Sequence, residues 1–232
     1  MMQWFPENIS TYGQGVDHVI QVIYWIVGAW FVVVEGLFLY FILRYRRKDG
    51  VRAAYEPGTS GKALAWILIP AVVILGFDVG IDLVQGPVWN EIKLTLPAKP
   101  DQIIRIKGKQ FVWDITHPGR DGALDTADDI QTLNQLNVPL NAKIVFELTA
   151  EDVIHSLWLP NLRLKQDAVP GRTIKGWFQA TKEGDYPLAC AELCGSGHGT
   201  MRGQLHVLNP ADYQKWLDEN SPQSPEVSSL GH

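Results

Sequence analysis

Two long apolar runs within the first ninety residues limit what this chain can fold into. One extends from His18 to Leu43 and the other from Ala63 to Gln85. Both are long enough to cross the hydrocarbon core of a bilayer, which takes about 20 residues in a helix. We therefore predict two transmembrane helices, over residues 18–43 and 63–85.

The positive charge of this region is confined to the connection between the two runs. Every lysine and arginine of the first ninety residues lies there: Arg44, Arg46, Arg47, Lys48, Arg52 and Lys62. The positive-inside rule places this loop, residues 44–62, in the cytoplasm. The N-terminal segment, residues 1–17, and the chain after the second run are then on the periplasmic side of a bacterial inner membrane. The polar N-terminus lacks a basic start, so the first helix is predicted to act as its own export signal.

The external part has the pattern of one β-rich domain, predicted over residues 91–209. Short β-branched runs recur between turn signals: EIKLTL, QIIRIKGKQFVWDIT, AKIVFELTA, TIKGWFQA, DYPLAC and GQLHVL. Several alternate between polar and apolar residues, which is typical of half-buried strands. We expect an antiparallel sandwich or barrel. Residues 210–232 form a C-terminal tail with one short helix at 210–220 and a disordered, Ser- and Pro-rich end.

The charge balance narrows the choice of partners. The formal net charge is -5, and most of it lies in the external part. An acidic domain of this kind is not a general nucleic-acid binder, whereas it is compatible with docking a basic protein.

Sulfur and nitrogen donors gather near the C-terminus. The run CAELCGSGHGTM contains Cys190, Cys194, His198 and Met201, and His155 lies upstream. Thiolate, imidazole and thioether ligands select copper among the first-row metals. These donors over-supply one copper, whereas two bridging thiolates can hold a pair, with the histidines as outer ligands, Met201 as a weak axial sulfur and a backbone carbonyl on the second metal. Such a centre suits fast electron transfer and not bond-making.

The competing interpretation is a small disulfide between Cys190 and Cys194, as expected for a cysteine pair in an exported domain. The histidine and methionine at fixed offsets argue against it. The remaining histidines have no cysteine or methionine at such spacings and are predicted to be structural or solvent-exposed: His18, His117, His206 and His232.

On these residues the chain resembles subunit II of the haem-copper cytochrome c oxidases over nearly its whole length. The matching stretches are DVIHS at 152–156, KQDAVPGR at 165–172 and the cysteine loop at 190–201. The resemblance implies a two-helix transmembrane hairpin followed by an all-β cupredoxin-like sandwich or barrel domain. It also implies that Glu192 contributes its backbone carbonyl to copper and its carboxylate to a magnesium ion shared with subunit I.

The family's activity follows from the same resemblance. It implies that a c-type cytochrome reduces the two-copper centre, and that electrons pass to haem in subunit I, where oxygen is reduced to water with proton translocation. The haems belong to the partner subunit, and subunit III is a further expected partner. No Cys-x-x-Cys-His motif is present, so the electrons must come from a separate protein. Alone, this chain should perform no oxygen chemistry.

Two positions depart from the family pattern. Phe111, in Gln-Phe-Val-Trp at 110–113, replaces the tryptophan that receives electrons, and Trp113 could take part, although a core role for it is favoured. Ala63 replaces a glutamate linked to proton uptake. Glu35 is a candidate for that role, because an ionisable residue in a spanning helix is costly and faces protein or water. The alternative for Glu35 is a structural pair with subunit I.

Several other interpretations remain open. Asp167 and Arg172 lie near the subunit I boundary in the family, or form a plain salt-bridged turn. The acidic segment with Asp121, Asp125, Asp128 and Asp129 could bind calcium, but a solvated hairpin tip is favoured. A membrane-anchored copper chaperone would also use a Cys-x3-Cys pair, although its fold is thioredoxin-like. A quinol oxidase subunit lacks the copper ligands, and nitrous oxide reductase needs a further propeller domain.

Overall fold

The computed structural model describes residues 5–55 and 57–222, and the chain divides into two compact units. One unit comprises residues 15–89. The other joins the residues up to Gln14 to those from Asn90 onward. Predictions for residues 1–4 and 223–232, including His232 and the disordered end of the tail, lie outside the described residues.

The first unit is built from two helices, α1 (Gly13–Arg44) and α2 (Gly61–Trp89). Both are long and apolar enough to cross a membrane. They extend beyond the spans of 18–43 and 63–85 expected from hydropathy. Trp30 of α1 meets Phe77 of α2 edge to face, with ring centroids 6.2 Å apart. Most of the other large apolar side chains on the two helices are exposed, as suits a surface that lipid or neighbouring helices cover.

Within its described residues, the second unit contains ten strands in two sheets. In chain order they are β1 (Gln102–Lys109), β2 (Val112–His117), β3 (Ile130–Leu133), β4 (Gln135–Pro139), β5 (Lys143–Ala150), β6 (His155–Leu159), β7 (Leu164–Ala168), β8 (Ile174–Gln179), β9 (Gly184–Cys190) and β10 (Arg202–Leu208). The strand order is β3-β2-β1-β5-β8 in one sheet and β4-β10-β9-β6-β7 in the other. The predicted all-β sandwich is confirmed.

Alternating side chains from both sheets form the core. Ile104 and Ile106 of β1 are fully buried, while Arg105 between them remains partly exposed. Trp113, Phe146 and Phe178 are the largest fully buried side chains. This period of two is the one that the sequence shows, since successive residues of a strand face opposite sides of the sheet.

The expectation of an antiparallel sandwich holds for most strand pairs but was wrong for two of them. Strand β1 pairs with β5 in parallel, and β10 pairs with β4 in parallel. Parallel neighbours need a long crossover connection. Here the connection from β1 to β5 includes β2, β3 and β4, the last of which belongs to the other sheet. Local alternation predicts that a strand exists, but it carries no information about which distant strand becomes its neighbour.

The run EIKLTL, expected as a strand, is also a correction. Residues Asn90–Leu94 form a π-helical turn, and the N–H of Thr95 donates to the carbonyl of Asn90 over 2.9 Å. Ile92 is buried, and the indole N–H of Trp177 donates to the Glu91 carbonyl over 3.0 Å. These contacts hold the segment against the side of the sandwich, so its apolar residues are buried without strand pairing.

The short helix expected in the C-terminal part is present as α3 (Pro210–Asn220). Asn209 caps it, because its side-chain oxygen accepts hydrogen bonds from the backbone N–H groups of Ala211 and Asp212. Tyr213 and Leu217 are buried and cluster with Ile130 at the start of β3.

The N-terminal strap, residues 5–12, packs on the β-sandwich. Ile9 is fully buried, its N–H donates to the Asn161 carbonyl over 2.9 Å, and its carbonyl accepts from the N–H of Thr181 over 2.7 Å. Glu7 forms an ion pair with Lys182 at 2.7 Å. The strap is thus bonded to the sandwich, although it is distant from most of it in sequence.

Candidate metal centre

Three neighbouring strands bring the predicted ligands to one end of the second sheet. His155 is the first residue of β6, Cys190 is the last residue of β9, and Met201 directly precedes β10. The strand pairing fixes their relative height: Leu157 lies opposite Cys190, and the N–H of Cys190 donates to the Met201 carbonyl over 3.1 Å. A rigid sheet therefore supports the site.

The loop between β9 and β10 folds back on itself and returns His198 to the cysteines. The N–H of His198 donates to the Gly195 carbonyl over 3.1 Å, and that of Met201 donates to the His198 carbonyl over 3.2 Å. Gly195 has φ of +135°, a conformation that side chains with a Cβ rarely adopt. This position therefore requires glycine for the reversal.

The two sulfurs lie between two imidazole nitrogens. The Sγ atoms of Cys190 and Cys194 are 3.9 Å apart, and both cysteines are free, so they form no disulfide in this structure. His155 Nδ1 is 3.9 Å from the Cys190 sulfur, and His198 Nδ1 is 3.6 Å from the Cys194 sulfur. Each sulfur thus has the other sulfur and one imidazole nitrogen within 3.9 Å.

The remaining two predicted ligands approach different sulfurs. Met201 Sδ is 3.8 Å from Cys194 Sγ, whereas the Glu192 carbonyl oxygen is 3.3 Å from Cys190 Sγ. Cys190, Cys194, His155 and Met201 are all buried. The structure therefore brings together all six residues that the sequence proposed as copper ligands.

Burial changes the acid–base behaviour of this group. Burial and the adjacent Cys190 sulfur raise the pKa of the Cys194 thiol to about 11. Asp152 accepts from Nε2 of His155 over 2.8 Å. Partial desolvation raises the pKa of Asp152, but hydrogen bonds from His155 and from the N–H groups of Gln110 and Val153 outweigh it and hold the pKa at about 2.

The donor set fits a soft metal ion. Ligand atoms of His155, Cys190 and Cys194 all lie within 4.8 Å of one another, close enough to share a metal. Two thiols with imidazole and thioether neighbours match the preference of copper over magnesium or calcium, which take oxygen ligands. Metal binding would also replace the thiol protons, because the thiolate is the ligand.

The two aromatic candidates for receiving electrons differ in exposure. Trp113 is fully buried, with its ring centroid 6.0 Å from that of His155, in agreement with the favoured core role. Phe111 is partly exposed and lies against the metal loop, the segment 191–201 between β9 and β10. A Cβ on Gly195 of this loop would lie 3.1 Å from the Phe111 ring. Of the two aromatic residues, only Phe111 is both at the surface and against the metal loop.

The other predicted residues lie outside this cluster of ligands. The Glu192 side chain is exposed. Asp167 accepts from the Ser156 hydroxyl over 2.7 Å and is 3.5 Å from the Lys165 ammonium, and Arg172 is exposed. Glu35 lies in α1 and Ala63 in the first turn of α2, both within the helical unit.

The acidic segment connects β2 and β3, and its carboxylates accept hydrogen bonds within the loop. Asp129 accepts from the N–H of Asp125 over 2.9 Å, Asp128 accepts from the Thr126 hydroxyl over 2.7 Å, and Asp125 pairs with Arg105 at 2.8 Å. Among the described residues, these carboxylates do not gather into a metal-binding group. The geometry is that of the favoured hairpin tip.

Three residues near the centre were given no role from the sequence. Asp152 contacts His155, Gln110 contacts Asp152 and the Cys194 carbonyl, and Gly108 lies beside the His155 ring. A carboxylate three residues before a candidate ligand histidine was a usable signal for Asp152, since metal-bound histidines commonly donate to carboxylates. Nothing local to Gln110 or Gly108 indicated their contacts.

The fold and the site define a class: a membrane-anchored β-sandwich protein with a copper-type soft-ligand centre at one end of a sheet. The family model for cytochrome c oxidase subunit II, periplasmic domain, matches residues 104–207. The alternative cytochrome c oxidase subunit 2 of Bradyrhizobium diazoefficiens is 30% identical, over 93% of this chain and 84% of the relative. The chain belongs to the cytochrome c oxidase subunit II family.

Further relatives have the same description. Cytochrome c oxidase subunit 2 of Thermostichus vulcanus is 29% identical, over 97% of this chain and 81% of the relative. The crystal structure of the periplasmic domain of cytochrome oxidase subunit II from Bradyrhizobium japonicum aligns with a TM-score of 0.49 at 29% identity, covering 54% of this chain and 96% of that one. Membership makes the present chain a membrane-anchored, copper-binding, electron-transfer subunit of an oxidase that contains other subunits.

Proposed function

We propose that the centre holds two copper ions, accepts electrons from a c-type cytochrome and passes them to haem in subunit I for the reduction of oxygen. The close cluster of two sulfurs and two imidazole nitrogens from Cys190, Cys194, His155 and His198 is the observation that carries this proposal. The two thiolates would be shared between the metals, and each imidazole would serve one of them. When bound, the copper pair supplies a reversible one-electron couple.

The two weaker donors support a pair of metals over one. The Glu192 carbonyl approaches the Cys190 sulfur and the Met201 thioether approaches the Cys194 sulfur. One metal would then take the carbonyl and the other the thioether, in addition to the shared thiolates. Because the loop that carries these donors is anchored in β9 and β10, a change of oxidation state would require little rearrangement of the ligands.

Electrons are proposed to enter at Phe111. Its ring is partly exposed and lies against the metal loop, whereas Trp113 is buried. Val153 and Ile154 precede His155, and Leu193 lies between Glu192 and Cys194. These exposed apolar residues give a donor cytochrome an apolar surface beside the centre. A basic cytochrome would suit the acidic chain.

Magnesium and the partner subunits are part of the same proposal. The exposed Glu192 side chain is free to point away from copper and to share a magnesium ion with subunit I, since a carboxylate is a suitable ligand for that ion. Asp167 and Arg172 would lie at this boundary. Subunit III is the further expected partner, and the complex would couple oxygen reduction to proton translocation. Glu35 would assist proton uptake from the side of α1 that faces subunit I.

Both termini are proposed to lie on the periplasmic side with the copper domain, with the spans at 18–43 and 63–85 and the loop at 44–62 in the cytoplasm. The strap supports this arrangement, because residues that hydrogen-bond to one another must share one side of the membrane. Glu7 pairs with Lys182, and Ile9 bonds to Asn161 and Thr181. The charged loop independently favours the same orientation.

The alternative, a membrane-anchored copper chaperone, is not favoured. A thioredoxin-like fold alternates helices with strands. In the described part of the second unit, by contrast, all ten strands come before α3, the one α-helix that follows Asn90. Met201 and His198 would also have no function in a simple dithiol site.

Metal analysis of the full-length chain in detergent tests the proposal. The purified chain is loaded with copper under reducing conditions, desalted and measured for copper per chain. We expect two copper ions in the natural chain and fewer in Cys194→Ser, because a hydroxyl cannot replace the shared thiolate. Thr200→Ser, a hydroxyl change in the same loop, is the matched control. One copper per natural chain, or none, would overturn the two-metal proposal.

A further inference from the structure

The tip of the β1–β2 hairpin touches both segments that carry metal ligands. The backbone N–H of Gln110 donates to Asp152 Oδ2 over 2.8 Å, and the side-chain amide of Gln110 donates to the Cys194 carbonyl over 2.6 Å. Strands β1 and β2 belong to the first sheet, whereas the ligands lie on the second. One residue therefore links the two sheets at the position of the centre.

Asp152 in turn determines how His155 presents its ring. Oδ1 of Asp152 lies 2.8 Å from His155 Nε2 and also accepts from the N–H of Val153 over 2.7 Å. A carboxylate can only accept, so the proton of the neutral ring must be on Nε2. Nδ1, which faces the Cys190 sulfur, is then unprotonated and available as a metal ligand.

We propose that Gln110 and Asp152 form a clasp that positions both ligand segments, and that the Asp152 charge stabilises the oxidised metal centre. This inference rests on the proposed function. Asp152 and Gln110 are positioning residues, since they act through His155 and the Cys194 backbone. A negative charge one hydrogen bond from a ligand favours the more positively charged oxidation state and strengthens the histidine as a donor.

Three substitutions separate the parts of the clasp. Asp152→Asn keeps an oxygen that can accept from His155 but removes the charge, so the reduction potential should rise. Asp152→Ala removes both contacts, and copper affinity should fall about 10- to 100-fold. Gln110→Ala keeps the backbone N–H and removes only the contact to Cys194, so it should alter the visible spectrum while changing the potential less than Asp152→Asn.

The matched control is Asp114→Asn. Asp114 is a carboxylate of β2, in the first sheet, and pairs with Lys109 at 3.3 Å. The full-length chain and its variants would be loaded with copper and studied by spectroelectrochemistry and by competition with a copper chelator. Circular dichroism of each variant reports whether it folds.

The outcomes separate the two proposals. If the natural chain forms no two-copper centre, the proposed function fails. If it does, a raised potential in Asp152→Asn beyond that in Asp114→Asn supports the clasp, because a purely structural role would not shift the potential of a folded, copper-loaded variant. An Asp152→Asn potential equal to that of Asp114→Asn, or full copper affinity in Asp152→Ala, would overturn the inference.

Discussion

At the scale of single residues, the site depends on how closely neighbouring groups fit around its ligands. The buried Cys194 thiol has its pKa raised to about 11, so the metal-free protein keeps it protonated near neutrality. Copper binding must therefore displace that proton. The ring of His155, by contrast, is held by Asp152 at its Nε2 and has its Nδ1 3.9 Å from the Cys190 sulfur.

Gly108→Ala tests that fit. A Cβ at this position would lie 2.9 Å from Cδ2 of His155, a contact too short to be tolerated without movement. Since Asp152 restrains the ring, we expect a loss of about 1–3 kcal/mol in stability and weaker copper binding. Thermal unfolding with and without copper measures both. Gly199→Ala in the metal loop, where nothing lies within 4 Å, is the control; equal behaviour of the two variants would contradict the prediction.

His117 should make stability depend on pH. Burial lowers its pKa from 6.5 to about 4, and its Nε2 accepts from the N–H of Asn137 over 3.0 Å. Below pH 6.5 His117 binds a proton in the unfolded chain, whereas in the folded chain it stays neutral down to about pH 4. Stability should thus fall across this window as pH decreases, by up to about 3 kcal/mol from this residue. His117→Gln should show a shallower decrease in unfolding temperature; an identical pH profile would show that His117 is not responsible.

At the scale of elements, the strands were more predictable than their pairing. Alternation at residues 103–107 and 143–147 identified β1 and β5, but their parallel pairing depends on contacts between distant segments. EIKLTL became a π-helical turn because Ile92 is buried by packing and not by sheet formation. The proximity of Cys190, Cys194, His198 and Met201 was predictable because one short segment carries them all. The contact from Gln110 to Cys194 was not, since 84 positions separate the two.

The strap is the element whose contribution can be tested most simply. Ile9 is fully buried against the sandwich, so Ile9→Ala should lower the free energy of unfolding of the second unit by roughly 2–5 kcal/mol. Ile103→Ala, at a position 37% exposed in β1, should cost much less. Unfolding of the full-length chain followed by near-ultraviolet circular dichroism gives the comparison. Equal losses in the two variants would mean that the strap does not contribute to the core.

At the scale of the whole molecule, orientation in the membrane can be measured on native lysines. A membrane-impermeant amine reagent applied to cells with a permeabilised outer membrane should label Lys182 and Lys215 of the external unit. Lys48 and Lys62 of the charged loop should react only after lysis, because the positive-inside rule places them in the cytoplasm. Mass spectrometry identifies the sites. Labelling of Lys48 before lysis would contradict the proposed topology.

Glu35 belongs to the same scale, because its proposed role exists only in the assembled oxidase. Glu35→Gln should slow turnover and proton uptake while leaving the copper spectrum unchanged, since the side chain lies in α1 and not at the centre. The loss depends on removing an ionisable group from the membrane span. Unaltered proton uptake in the variant complex would reject the role and leave the structural pair with subunit I.

Electron paramagnetic resonance of the copper-loaded, full-length chain tests the central claim most directly. If Cys190 and Cys194 share their thiolates between two copper ions, one unpaired electron is spread over both, and the hyperfine pattern must show two equivalent copper nuclei. A pattern from one copper nucleus, or a silent sample in which the two cysteines have formed a disulfide, would contradict the account.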